Sequence, residues 1–181
     1  MKYFVGYLLK GEVQAWHHNL AKEIAEKFGT WNMHDIPSHI TVFRPFETSD
    51  IENVKNLLRE WVRNTTVAGK FVISGFNRFD ERMVFADVYA DSLVVQQVLD
   101  LKAKLKQLPK MPEEDYPMWR PHATLANHLE PKQIMEIWGF VSMLTKQNFS
   151  VPFDNVTLFH SLGNHVWEVD EVFQMGEKIV S

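Results

Sequence analysis

Two short stretches of this chain carry the same arrangement of reactive side chains. Ser38-His39-Ile40-Thr41-Val42 and Pro121-His122-Ala123-Thr124-Leu125 each place a histidine two positions before a threonine, with an aliphatic residue after it. On an extended strand, residues i and i+2 point to the same face. His39 and Thr41 therefore share one face while Ile40 and Val42 take the other, and His122 and Thr124 are set against Ala123 and Leu125 in the same way. Two such faces turned toward each other would surround a small cavity with two imidazoles and two hydroxyls. That set suits a phosphodiester. One imidazole can act as general base and the other as general acid on opposite sides of phosphorus, because the ring titrates near neutrality. The threonine hydroxyls can donate to the non-bridging oxygens as charge builds there. Neither a metal nor a cofactor is expected: no His-x-His or His-x-x-x-His spacing occurs, and no carboxylates sit near either motif in metal-ligand spacing.

A single His-x-Ser/Thr match is weak, since about one would arise by chance in a chain with this many histidines. The elements around the two matches make them informative. Tyr3–Leu9 reads as a first strand, ending in a Lys10-Gly11 turn. Val13, Trp16, Leu20, Ile24 and Phe28 form one helical stripe, stopped by Gly29. The strand His39–Phe43 follows, then a helix from Ile51 through Trp61 capped by Ser49 or Asp50, then a strand Val67–Phe76. The charged stretch 78–83 reads as a hairpin turn, after which the order begins again. Arg82–Ala90 is a strand, Leu93 to Leu105 a helix capped by Asp91 or Ser92, and His122–Ala126 a short strand. A helix opened by Pro131 follows, then strands Val151–Phe159 and Val166–Phe173.

Each half thus runs strand, helix, short His-bearing strand, helix, strand, with the histidine at an equivalent place. Internal duplication is the economical reading. The expected architecture is α+β and bilobal. Two pseudo-symmetric lobes, about 1–80 and about 81–181, each carry a mainly antiparallel sheet with outer helices. They flank a central cleft within a single domain spanning 1–181, and strands can exchange between lobes.

Composition narrows the partners. The 181 residues are 45% hydrophobic and 23% charged, enough to bury a core without staples. A net charge of −4 argues against a general polyanion-binding surface, so no long duplex nucleic acid is expected. The absence of cysteine excludes disulfides, thiolate metal sites and a cysteine nucleophile. The N-terminal apolar run is short, ends at Lys10 and lacks a cleavage pattern, and no run approaches membrane-spanning length. A cytoplasmic protein with no membrane partner is expected; the oligomeric state is not readable from these features.

The two motifs and their setting resemble the 2H phosphoesterase superfamily, the 2′-5′ RNA ligase-like and cyclic phosphodiesterase proteins. The similarity extends to the strand at 3–9 and to the closing segment 156–169. That resemblance implies a bilobal fold with the motifs lining a central cleft, His39 and His122 as the catalytic pair, and Thr41 and Thr124 as phosphate binders. It implies a nucleotide or RNA 3′-end substrate, with 2′,3′-cyclic phosphates and 2′-5′ linkages both in range. A non-catalytic binder of nucleotide or RNA ends using the same cleft is the alternative.

Further contacts are expected from neighbours of the motifs. Arg44 and Arg120 flank them and suit bidentate phosphate contact, or else a solvated ion pair. Tyr116 and Trp119, in the proline-rich loop before the second motif, offer rings for base stacking, although Trp119 also suits packing beneath that loop. Phe43 has the parity of His39 and is expected in the cleft wall. Of the adjacent pair His17 and His18, at least one must face solvent, and no other histidine has a spacing that suggests chemistry.

Overall fold

A computed structural model describes residues 1–31, 33–79, 82–113 and 118–176. The chain forms β1 (Lys2–Leu8), α1 (Gly11–Phe28), a 3-10 turn (Met33–Asp35), β2 (His39–Glu47), α2 (Ile51–Asn64), β3 (Lys70–Phe79) and β4 (Met83–Ala90). It continues with α3 (Ser92–Lys106), β5 (His122–Ala126), α4 (Pro131–Ser142), β6 (Asn148–Pro152), β7 (Asn155–Gly163) and β8 (Val166–Gln174). The helix ends follow local chemistry. Gly29 takes a left-handed φ of 61° and donates its N–H to the Ala25 carbonyl, which closes α1. The Asp91 carboxylate accepts the Val94 N–H at 2.9 Å and opens α3. Pro131 enters α4 behind a capping box of Glu130 and Gln133.

The described strands form two four-stranded antiparallel sheets, ordered β2-β1-β7-β8 and β5-β4-β3-β6. The orders correspond. In each sheet the motif strand is at the edge and the strand that opens its half of the sequence lies next to it. The fold is α+β and bilobal, with the two sheets related pseudo-symmetrically. The sheets do not divide at residue 80, however. β3 leaves the first half to join the His122 sheet, while β7 and β8 return to the His39 sheet. One core of apolar residues runs through both, from Val5 and Ile40 to Ala86 and Leu125.

Two strand expectations change for identifiable reasons. Val151–Phe159 is two strands, because β6 pairs with β3 in one sheet and β7 with β1 in the other. The chain crosses at Phe153, which is fully buried against Phe71 and Tyr7, its N–H donated to the Gly69 carbonyl at 2.9 Å. β2 also carries an extra residue. Gly6 of β1 pairs with Thr41, but the next residue, Val5, pairs with Phe43. That bulge reverses the alternation, so Val42 and Phe43 are both buried. Phe43 is 0% exposed, with its ring against Phe46, and forms part of the core and not of the cleft wall.

Candidate functional site

The two motif strands sit next to each other where the sheets meet. Before the bulge, β2 alternates as expected: His39 and Thr41 are half-buried while Ile40 and Val42 are buried. β5 repeats the pattern, with His122 and Thr124 half-buried against buried Ala123 and Leu125. Each imidazole is held in the same way. His39 Nδ1 donates to the Pro37 carbonyl at 2.7 Å, and His122 Nδ1 donates to the Arg120 carbonyl at 2.9 Å. A carbonyl can only accept, so the proton of each neutral ring is on Nδ1 and the lone pair is on Nε2.

Each ring also rests on two aromatic residues. His39 lies 4.7 Å from Phe4 and 5.2 Å from Phe159, which stack on each other at 4.4 Å. His122 lies 5.0 Å from Phe79 and 5.1 Å from Phe85, themselves 4.5 Å apart. These apolar seats disfavour the charged form of both rings. Burial pushes His39 down to about 4, opposed by the Pro37 hydrogen bond and reinforced by the charge of His122. His122 is also lowered, chiefly by burial and further by the positive charge of Arg120; its bond to the Arg120 carbonyl and the nearby Asp87 carboxylate act in the opposite direction. The two imidazoles are close enough that a charge on one opposes a charge on the other.

Two ties behind the site hold the motifs together. The Trp119 indole donates to the Thr41 carbonyl at 3.0 Å, with its ring 6.3 Å from Phe71. Trp119 is thus half-buried, anchoring the loop before the second motif to the strand of the first. The other tie is His17, which is only 4% exposed. Its Nδ1 lies 2.9 Å from the hydroxyl of buried Ser38, the residue before His39. Carbonyls of Ala123 and Thr124 lie close to its ring, although Nε2 makes no hydrogen bond of ordinary geometry among the described residues. Burial lowers His17 to about 4, and the charge of His39 adds to the effect. The helical spacing Val13, His17, Leu20, Ala21, Ile24 placed this histidine on the buried stripe; reading the stripe through Trp16 obscured it.

The remaining expected contacts differ in placement. Arg120 is exposed, its guanidinium 4.7 Å from the Phe79 ring centre and 5.5 Å from that of Phe85, the rings on which His122 leans. Arg44 is exposed and donates to the Glu113 carbonyl at 2.9 Å. Tyr116 lies outside the described residues. Asp87, which sequence reasoning passed over, is the β4 residue paired with His122. Its position two residues beyond Phe85 on one strand face was the available signal.

No helix among the described residues is long and apolar enough to cross a membrane. The chain is 28% identical over 145 residues to a putative phosphoesterase of Bacillus pumilus, covering 79% of this chain and 82% of that one. Its fold resembles that of a Thermus thermophilus protein of known structure, with a TM-score of 0.65 and 19% identity over 98% of this chain and all of the other. It also resembles E. coli LigT solved with NADP+, with a TM-score of 0.63 and 14% identity over 97% of this chain and 98% of that one. The family model of the 2′-5′ RNA ligase superfamily matches residues 10–165, and with the paired His-x-Thr strands in place the chain belongs to that superfamily.

Proposed function

We propose that this protein is a metal-independent phosphoesterase acting on a nucleotide or RNA phosphodiester, with a 2′,3′-cyclic phosphate as its best substrate and 2′-5′ linkages in range. The observation that carries this reading is the paired presentation of two imidazoles. Each has its Nδ1 held by the carbonyl two residues upstream and its Nε2 left for chemistry, and each has a threonine two residues on. One Nε2 takes a proton from the attacking water as the new P–O bond forms. The other ring, as imidazolium, gives its proton to the departing ribose oxygen as the old P–O bond breaks. Thr41 and Thr124 donate to the non-bridging oxygens, and Arg120 adds positive charge on the His122 side.

Both rings are depressed toward the neutral form in the ligand-free protein. A bound phosphate anion raises the ring it faces, so the substrate itself stabilises the proton that the acid step needs. E. coli LigT has been solved with NADP+, ATP and 3′-AMP, which supports a nucleotide ligand for this fold. Because each sheet takes strands from both halves of the chain, residues 1–181 act as one domain in this reading. A cytoplasmic location belongs to the same proposal.

The test is a panel of 2′,3′-cyclic nucleotides, 3′,5′-cyclic nucleotides and 2′-5′ oligomers, with product analysis in the presence of chelator. Turnover of the 2′,3′-cyclic compounds with a bell-shaped pH profile is expected. Nucleotide binding without product would instead make the cleft a binding module.

A further inference from the structure

The two sides of the site differ where a nucleoside would lie. Opposite His39 the paired strand offers Leu8, and opposite Thr41 it offers Gly6. Opposite His122 it offers Asp87, and opposite Thr124 it offers Phe85. Phe85, Asp87 and Tyr89 share the cleft face of β4, because alternate residues of a strand point the same way. Tyr89 is 58% exposed, and its hydroxyl donates to Asp87 Oδ2 at 3.1 Å, which pins the ring. Asn77 Nδ2 donates to the same oxygen at 3.3 Å. Asp87 Oδ1 takes no hydrogen bond among the described residues. The positive charge of Arg120 reaches both His122 and Tyr89. Asp87 is the strand partner of His122, and Tyr89 stands about 7 Å further along β4, so its ring lies about one ribose beyond the His122 position while its hydroxyl reaches back to the carboxylate.

We propose that this β4 face is a nucleobase subsite, in which Tyr89 stacks on the base and Asp87 accepts its N–H donors. The inference rests on the phosphoesterase reading and orients the substrate within it, with phosphate between the motifs and nucleoside over β4. A flat, exposed ring serves any base. The carboxylate does not, because it only accepts. Guanine presents an imino N–H and an amine side by side, two donors for one carboxylate. Uracil presents a single N–H between two carbonyls, which the carboxylate repels. The subsite therefore favours guanine over uracil, with adenine and cytosine between them.

The experiment titrates the full chain with guanosine 2′-monophosphate, uridine 2′-monophosphate and inorganic phosphate, followed by calorimetry and by the ring signals of His39 and His122 in NMR. The guanosine compound should bind about tenfold more tightly than the uridine compound, the scale of a charged hydrogen bond. Tyr89→Ala should weaken both nucleotides about tenfold and leave phosphate unchanged. Tyr89→Phe should keep nucleotide affinity within a few-fold, and Asp87→Asn should abolish the preference for guanosine. Wild-type nucleotide affinity in Tyr89→Ala, or no advantage of nucleotide over phosphate, overturns the subsite while leaving the functional reading intact. An unchanged guanosine preference in Asp87→Asn removes the carboxylate from base recognition. Conversely, Tyr89-dependent nucleotide binding that moves neither histidine signal overturns the functional reading and keeps the subsite.

Discussion

The His39 and His122 sides share their backbone and differ in their surroundings. In both, an edge strand presents a histidine and a threonine on one face, an upstream carbonyl fixes the ring, and two aromatic residues form its seat. Beyond that shared frame the strand partners of His39 and Thr41, Leu8 and Gly6, bring no charge, and the ring is pushed to about 4. The His122 side has Asp87 as strand partner, with Tyr89 and Asn77 bonded to it and Arg120 nearby. A repeated strand motif is enough to present two equivalent imidazoles. Which of them holds a proton more readily is decided by residues outside the motif.

If the two imidazoles work as a pair, removing either should be similarly severe. His39→Ala and His122→Ala are each expected to lower turnover of a 2′,3′-cyclic nucleotide by about 10²–10⁴-fold. The double variant should fall little further, since residues that act as a unit are not additive. A single variant with near wild-type turnover would break the pairing.

His17 joins the two sides from behind, and its effect should appear as acid sensitivity. Its pKa is about 4 in the folded protein and near 6.5 when unfolded. The unfolded chain therefore binds the proton more readily between those values, so stability is fully present above about pH 6.5 and is lost as pH falls through about 4. The loss attributable to this ring is about 3 kcal/mol. Urea unfolding at pH 7 and pH 4.5 should show a drop that shrinks in His17→Gln. An equal drop in the variant would show that the buried ring is not the cause.

Gly6 separates the two seats. A Cβ there would lie 3.0 Å from the Ile40 carbonyl and 3.1 Å from Phe159 Cε2, whereas the His122 side already accommodates Phe85 opposite its threonine. Gly6→Ala should cost about 1–3 kcal/mol and shift the His39 ring signals more than those of His122. Trp119→Phe removes the hydrogen bond to Thr41 together with part of a ring packed on the core, and should cost about 1–3 kcal/mol in urea unfolding. The smallest effect sharpens the comparison most directly. In ligand-free NMR titrations His39 should titrate below His122, and Asp87→Asn should lower His122 further, because the carboxylate raises it. A rise in the variant would show that the carboxylate does not raise His122.

Much of this molecule was legible in sequence because the signals were local. The helices, their caps at Gly29, Asp91 and Pro131, and the faces of His39, Thr41, His122 and Thr124 all follow from spacing over a few residues. Phe43 was misread because a bulge is a property of a strand pair, and one strand viewed alone keeps its alternation. The break at Phe153 was invisible because both sides of it favour strand, and only pairing with different sheets separates them. Asp87 was overlooked because its neighbour His122 is far away in sequence.

By itself the sequence determined which side chains can do chemistry and which local elements carry them, since periodicity, capping and turn residues act over a single element. The tertiary structure alone decided that β3 pairs with β4 and β6 of the second half and that β7, with β8 beside it, pairs with β1 of the first, that His17 closes the back of the site, and that Asp87 and Tyr89 stand beside one histidine and not the other. Those outcomes depend on pairing and burial between residues far apart in the chain, where no local spacing records the partner.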